Sequence, residues 1–136
     1  MAATLKLEIV TPEAKIFSED VEMVTLTGID GEMGILPQHM ALMTQLAAGE
    51  ITARKDGKNL FLAVGNGFVQ VTGEAVSILT DMAIKADDID EAKAEEARQK
   101  AEARLAQKLS DEESATVQAA LMHALTQLHV KRRHAR

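Results

Sequence analysis

The sequence predicts a β plus α protein: a strand-rich sandwich or flattened barrel over residues 1–86, followed by an antiparallel two-helix hairpin over residues 87–136. Three observations carry this. All eight glycines and both prolines lie at or before Gly73. Up to about Thr80 the apolar residues alternate in short runs, which is the period of a half-buried strand. From Asp87 the period becomes helical, and two capping signatures each open a segment.

Leu5, Leu7 and Ile9 alternate with Lys6 and Glu8, placing the apolar set on one face of a strand that Pro12 ends. A second run, Val21–Thr27, stops at Gly28, and Asp30-Gly31 follows as a tight turn. Ile51–Arg54 meets Leu60–Val64 across Lys55-Asp56-Gly57-Lys58; its Asp-Gly pair is the strongest short hairpin signal. Gly65-Asn66-Gly67 turns the chain into Phe68–Thr72, and Gly73-Glu74 turns it again into Ala75–Thr80. Short strands at this spacing indicate a sandwich or flattened barrel and not a parallel sheet with crossover helices.

In the second half, Asp88-Ile89-Asp90-Glu91 offers an Asp cap with Glu three residues later, and Ser110-Asp111-Glu112-Glu113 is a capping box. Ala94, Ala97, Ala101, Leu105 and Leu109 share one helical face, as do Val117, Leu121, Ala124, Leu125 and Leu128. The short connection makes the pair antiparallel. The first stripe is mostly alanine and buries little area per residue. A hairpin held by so little is expected to detach and rearrange as a mobile arm.

Composition narrows the function. Of 136 residues, 46% are hydrophobic and 26% charged, enough to build a core. Three Phe, seven Met and no Trp or Tyr make that core aliphatic and leave almost no platform for stacking bases. The absence of cysteine removes disulfides, thiolate metal sites and thiol nucleophiles. A net charge of −6 argues against nucleic-acid binding. No run approaches 18 apolar residues, and the first six residues lack a long apolar stretch, so neither a spanning helix nor a secretory signal is expected.

Motifs for catalysis are missing. Gly65-Asn66-Gly67 reads as a hairpin turn, because Gln70 stands where a dinucleotide fingerprint needs its third glycine and no helix follows. His123, His129 and His134 lack the i, i+4 spacing of a helical metal pair and read as solvated. Asp87-Asp88 and Glu95-Glu96 read as helix-start electrostatics and a solvated face. No nucleophile elbow or Ser/His/Asp set can be assembled, so the residues do not support an enzyme acting alone.

Two features remain. Gly31-Glu32-Met33-Gly34-Ile35-Leu36-Pro37-Gln38-His39 is not explained by hydrophobic period. It reads equally as a rigid loop presenting Glu32 and His39 at the sheet edge or as an ordinary turn. Lys131, Arg132, Arg133 and Arg136 place four fixed positive charges at the end of an acidic chain, a suitable device for guiding an arm to an acidic partner. A free-standing regulatory module whose basic helical arm captures such a partner is one reading.

The other reading comes from a resemblance. The stretch from Gly31 to His39, then Val64-Gly65-Asn66-Gly67-Phe68-Val69-Gln70-Val71, then Val76-Ser77-Ile78-Leu79, then Ala86-Asp87-Asp88-Ile89-Asp90-Glu91-Ala92-Lys93-Ala94, resembles in order the epsilon subunits of bacterial F-type ATP synthases. The family's usual form of the first motif is Gly-Glu-Leu-Gly-Ile-Leu-Pro-Gly-His-Ala-Pro-Leu; Met33, Gln38, Met40 and Ala41 depart from it here. The resemblance implies a ten-stranded β-sandwich and a two-helix domain in a non-catalytic central-stalk subunit. It further implies contact with the gamma subunit and with the ring of c subunits, peripheral at the cytoplasmic face of the cell membrane, coupling proton flow to ATP synthesis. Glu32 and His39 would face the ring. The hairpin would fold onto the sandwich or extend along gamma to obstruct ATP hydrolysis, its basic tail meeting the beta (and alpha) subunits.

Some members of that family bind ATP through an Ile/Leu-Asp-x-x-Arg-Ala motif, here Ile89-Asp90-Glu91-Ala92-Lys93-Ala94, with Lys100, His123 and Gln127 where such relatives carry arginines. Lysine lacks the bidentate fork of arginine. The expectation is weak or absent ATP binding and no other cofactor, with Asp90 holding the folded hairpin together.

Overall fold

A computed structural model describes residues 3–134. Ten strands are formed: β1 (Leu5–Val10), β2 (Lys15–Val21), β3 (Met23–Gly28), β4 (Gly31–Ile35), β5 (Leu42–Leu46), β6 (Gly49–Lys55), β7 (Lys58–Val64), β8 (Gly67–Val71), β9 (Ala75–Thr80) and β10 (Ala83–Lys85). They make two layers, β10-β7-β6-β3-β4 and β5-β8-β9-β1-β2, joined where Gly28 pairs with Leu46. Pairing is antiparallel except for β1 beside β9. The core is seventeen buried aliphatic and aromatic side chains, from Leu5 to Ile78, all contributed by strands. None comes from the helices, so the sandwich closes without them.

The Asp-Gly hairpin is as the sequence reads: Lys55 pairs with Lys58, and Asp56 and Gly57 both have positive φ (52° and 77°), the geometry of a type I′ turn. Four strands escape the alternation rule. Lys15–Val21 is too polar to show it, β4 and β5 are short, and β10 has three residues. Where the sequence suggested one run from Val21, Val21 ends β2 and Met23 begins β3.

A 3-10 turn (Ala86–Asp88) leads into α1 (Glu91–Leu105), and α2 (Asp111–Arg133) returns antiparallel. The first cap is Asp90 and not Asp88: the Asp90 carboxylate accepts from Lys93 N at 3.1 Å, while Asp88 is spent in the 3-10 turn that buries Ile89. Ser110 caps α2 as expected, accepting from Glu113 N at 3.1 Å. Its hydroxyl, with Arg104, also holds the Glu113 carboxyl below its ordinary range.

The apolar stripes need correction. In α1 only Ala94 and Ala101 are buried, Ala97 is exposed, and Leu109 lies beyond the helix end. In α2 Leu125 is 45% exposed, and Thr126 and Val130 are buried instead. The reason is that α2 has two buried faces. Leu121, Ala124 and Leu128 fall within one arc, Thr126 and Val130 in another, and Leu125 points between them to solvent. Val130 packs with Ala63, Ala86 and Ile89, backed by Phe61 and Ile84, on the outer face of β7 and β10.

Candidate interaction sites

The hairpin is fastened to the sandwich by this small cluster and by polar contacts along one edge of α2. Burying one Val, one Ile and two Ala stabilises by on the order of 5 kcal/mol gross, modest beside the seventeen-residue core. His123 Nε2 lies 3.1 Å from the Asp81 carboxylate. His134 stacks on Phe61 (centroids 3.6 Å apart, 14° between planes) and contacts Glu50. Arg133 reaches Glu50 at 3.3 Å, and Lys131 Nζ donates to Ala86 O at 3.1 Å. His123 and His134 lie eleven residues apart, three turns of helix, and so face the same way. They are therefore docking residues and not solvated ones; His129 is exposed.

Gly65 makes the Asp81 contact possible. A Cβ there would sit 1.9 Å from Asp81 Oδ1 and 3.3 Å from His123 Nε2. Two helices are also tied to each other: Arg132 donates to Glu91 at 2.8 Å and to Glu95 at 3.3 Å. Arg98 hydrogen-bonds Glu95 and, with Arg132 adding attraction, holds its carboxyl down to about 2. Glu95 is thus a linking residue and not merely part of a solvated face. In this docked arrangement Lys131, Arg132 and Arg133 are all engaged within the chain; Arg136 lies outside the described residues.

Ile89 is buried in the docking cluster, Asp90 caps α1, Ala94 is buried, the Lys93 side chain is exposed, and Lys100 pairs with Glu96 at 3.0 Å. At the other edge, Glu32 and His39 are not held as a pair. Glu32 stands exposed on strand β4 opposite Thr27, and His39 follows in the turn after β4, its Nδ1 2.8 Å from Met40 O. Among the described residues no ion pair or hydrogen bond joins them. Leu36, whose carbonyl accepts from His39 N, and Met40 beside it are exposed, as is Met43 on β5.

A further apolar feature escaped the sequence reading. Val10, Leu79 and Phe68 are aligned across β1, β9 and β8 on the outer face of the second layer, with Leu79 and Phe68 more than half exposed. The signal was present: Phe68 and Leu79 have opposite strand parity to the buried Val69, Val71, Ile78 and Thr80.

Residues 4–86 match the family model described as the beta-sandwich domain of the ATP synthase delta/epsilon chain, and residues 87–132 match its long alpha-helix domain. The chain belongs to the ATP synthase delta/epsilon chain family. An ATP synthase epsilon chain of Dehalococcoides mccartyi is 43% identical over 136 residues, covering 97% of each protein. One of Desulforamulus reducens is 41% identical, covering 94% of this chain and 97% of the relative. A chain of the Euglena gracilis mitochondrial ATP synthase, solved as OSCP, F1 and c-ring, superposes with a TM-score of 0.72 at 27% identity, covering 91% of this chain and 79% of that one. A chain of the Tetrahymena thermophila mitochondrial central stalk and c-ring shares the fold (TM-score 0.56, 12% identity, 98% of both chains). The resemblance carried by the motifs and the sandwich-plus-hairpin fold are borne out.

Membership in this delta/epsilon family gives Gln38 a meaning. It stands where the family's usual motif has glycine and adopts φ 67°, the left-handed region, while its N–H donates to Gly73 O at 2.8 Å. The turn keeps the glycine geometry at a conformational cost of about 1 kcal/mol. Gln38→Gly is therefore expected to raise the unfolding free energy by about 0.5–1 kcal/mol, measured by urea denaturation. A loss of stability would show the side chain to be contributing more than its strain.

Proposed function

We propose that this chain is a non-catalytic epsilon-type subunit of the central stalk of an F-type ATP synthase, working peripherally at the cytoplasmic face of the membrane. Its sandwich couples a gamma subunit to the ring of c subunits, and its hairpin restrains ATP hydrolysis by moving. The observation that carries the reading is the two-part construction of a family member: a core closed by strands alone, and a hairpin fastened by one small apolar cluster and a few ion pairs. Such a joint can open without unfolding the sandwich.

The hairpin covers the outer face of β6, β7 and β10, leaving the Val10–Leu79–Phe68 strip uncovered on the opposite layer. We assign this strip to the gamma subunit, since an aligned apolar row exposed on a sheet marks a binding face. The turn carrying His39, Leu36 and Met40, with Glu32 on the adjoining strand, is assigned to the c subunits. In the extended state Arg132 and Arg133 would exchange their present carboxylates, and Lys131 its carbonyl partner, for carboxylates of beta and alpha subunits, with Arg136 adding a fourth charge. The free-standing module is not favoured, because Lys131, Arg132 and Arg133, which it needs, are engaged within the docked chain.

The reading is tested by co-purification with the gamma subunit of the same synthase. The full chain is expected to co-elute with gamma, and Phe68→Lys to reduce co-elution at least tenfold while leaving the chain folded, since burying an unpaired charge costs more than about 1.4 kcal/mol. A monomer indifferent to gamma would sink the proposal.

A further inference from the structure

Between the tip of the β6–β7 hairpin and the last turn of α2 lies a cleft of about 1090 Å³. Five of the chain's fifteen Lys and Arg residues line it, Lys55, Lys58, Lys85, Lys131 and Arg133, together with His134. The carboxylates in its wall are Glu19, Asp56 and Asp87. With Glu50 beside Arg133 counted, five fixed cations face four carboxylates, which leaves the cleft weakly positive on a chain whose net charge is −6.

Some of these charges are already matched. Lys55 hydrogen-bonds Glu19, which raises the lysine's pKa, and Arg133 is 3.3 Å from Glu50. Lys58, Lys85 and Lys131 have no carboxylate within ion-pair distance among the described residues. Lys85 Nζ lies over the Phe17 ring, 5.8 Å from its centroid, and Lys131 gives one donor to Ala86 O.

The arrangement has a local cost that the Lys55–Glu19 pair offsets only on one side. Lys55 and Lys58 are directly opposite each other across the Asp56-Gly57 turn, and like charges so placed destabilise a hairpin. The dipole of α2 favours Lys131 and Arg133 at its end, Glu19 partners Lys55 and the Phe17 ring faces Lys85, but none of these accounts for Lys58. Local rules are broken in this way chiefly at functional sites. Lysine ammoniums on flexible stems are point charges suited to phosphate oxygens, and clefts between structural units are common ligand sites.

We infer that this cleft binds a small multivalent phosphate anion, held chiefly by Lys58, Lys85 and Lys131. One wall belongs to the sandwich and the other to α2, so the ligand fits only the docked hairpin and shifts the population toward it. The site is separate from the Asp90–Lys93 stretch and Lys100, none of which lines the cleft. It does not depend on the stalk assignment, because the test uses the isolated full chain.

Pyrophosphate is titrated into the chain at fixed ionic strength, followed by calorimetry and by hydrogen exchange of α2. Saturable binding at about 1 mM or tighter is expected, with slower exchange in α2. Lys58→Gln and Lys85→Gln each weaken it at least fivefold, whereas Lys93→Gln and Lys100→Gln leave it unchanged. A parallel arm with vesicles of anionic phospholipid separates the sources: co-sedimentation that needs Lys58 and Lys85, without pyrophosphate binding, makes the phosphate a lipid headgroup's. No Lys58- and Lys85-dependent binding in either arm up to about 10 mM pyrophosphate, or binding lost instead in the Lys93 and Lys100 variants, overturns the inference.

Discussion

Gly67→Ala is expected to lower the stability of the sandwich by about 3 kcal/mol or more. A Cβ at Gly67 would lie 1.9 Å from the carbonyl oxygen of Leu79 and 2.8 Å from Thr80 Cα, both backbone atoms of the paired strand β9. No rotamer change relieves such a clash; β8 and β9 must move apart, and with them the pairing of Gly67 to Leu46 on the other side. In a domain whose total stability is of order 5–15 kcal/mol, that is a large share. Thermal unfolding should fall by roughly 10 °C. Gly73→Ala, where an added Cβ meets nothing within 4 Å, is the control and should change little. Equal effects of the two substitutions would show that close strand approach is not what Gly67 provides.

Glu50→Lys is expected to release the hairpin while leaving the sandwich intact. Glu50 is the shared acceptor for Arg133 and His134, and its side chain is 12% exposed, covered by the end of α2. Reversing its charge removes both contacts and sets a cation against Arg133. With partly screened charges the docked state should weaken by about 1–3 kcal/mol, roughly 5- to 150-fold in the docking equilibrium. Hydrogen exchange should quicken in α2 and stay unchanged in β1, β8 and β9. Arg133→Glu introduced with it should restore part of the protection, since the swapped pair regains its attraction. Uniform acceleration through both parts would mean that hairpin and sandwich open as one unit.

The sandwich was legible wherever one strand face is buried and turn chemistry is explicit, as in Leu5–Ile9 and the Asp56-Gly57 hairpin. It was illegible at β2, whose Ser18-Glu19-Asp20 interrupts the alternation, and at β4 and β10, which owe their strand state to pairing partners rather than to their own pattern. The hairpin was legible from its caps, but its buried faces were not. A single stripe describes a helix with one neighbour, and α2 has two, which is why Val130 is buried and Leu125 is not.

The sites divided in the same way. The basic end of α2 stood out as a charge run, yet its partners Glu50, Glu91 and Glu95 are 37 to 84 residues away along the chain or on another element. His123 could not be linked to Asp81 without knowing that Gly65 leaves the space between them open. Glu32 and His39 are close in sequence and read as a polar pair, but a strand and a turn take them to different surroundings.

If the hairpin is a separable restraint on a stalk subunit, removing it must change ATP hydrolysis by the reconstituted synthase. Complexes are assembled with the full chain or with residues 1–86, and gamma content is checked in each. Equal assembly and severalfold faster hydrolysis are expected without residues 87–136. Equal assembly with unchanged hydrolysis would contradict that role of the hairpin.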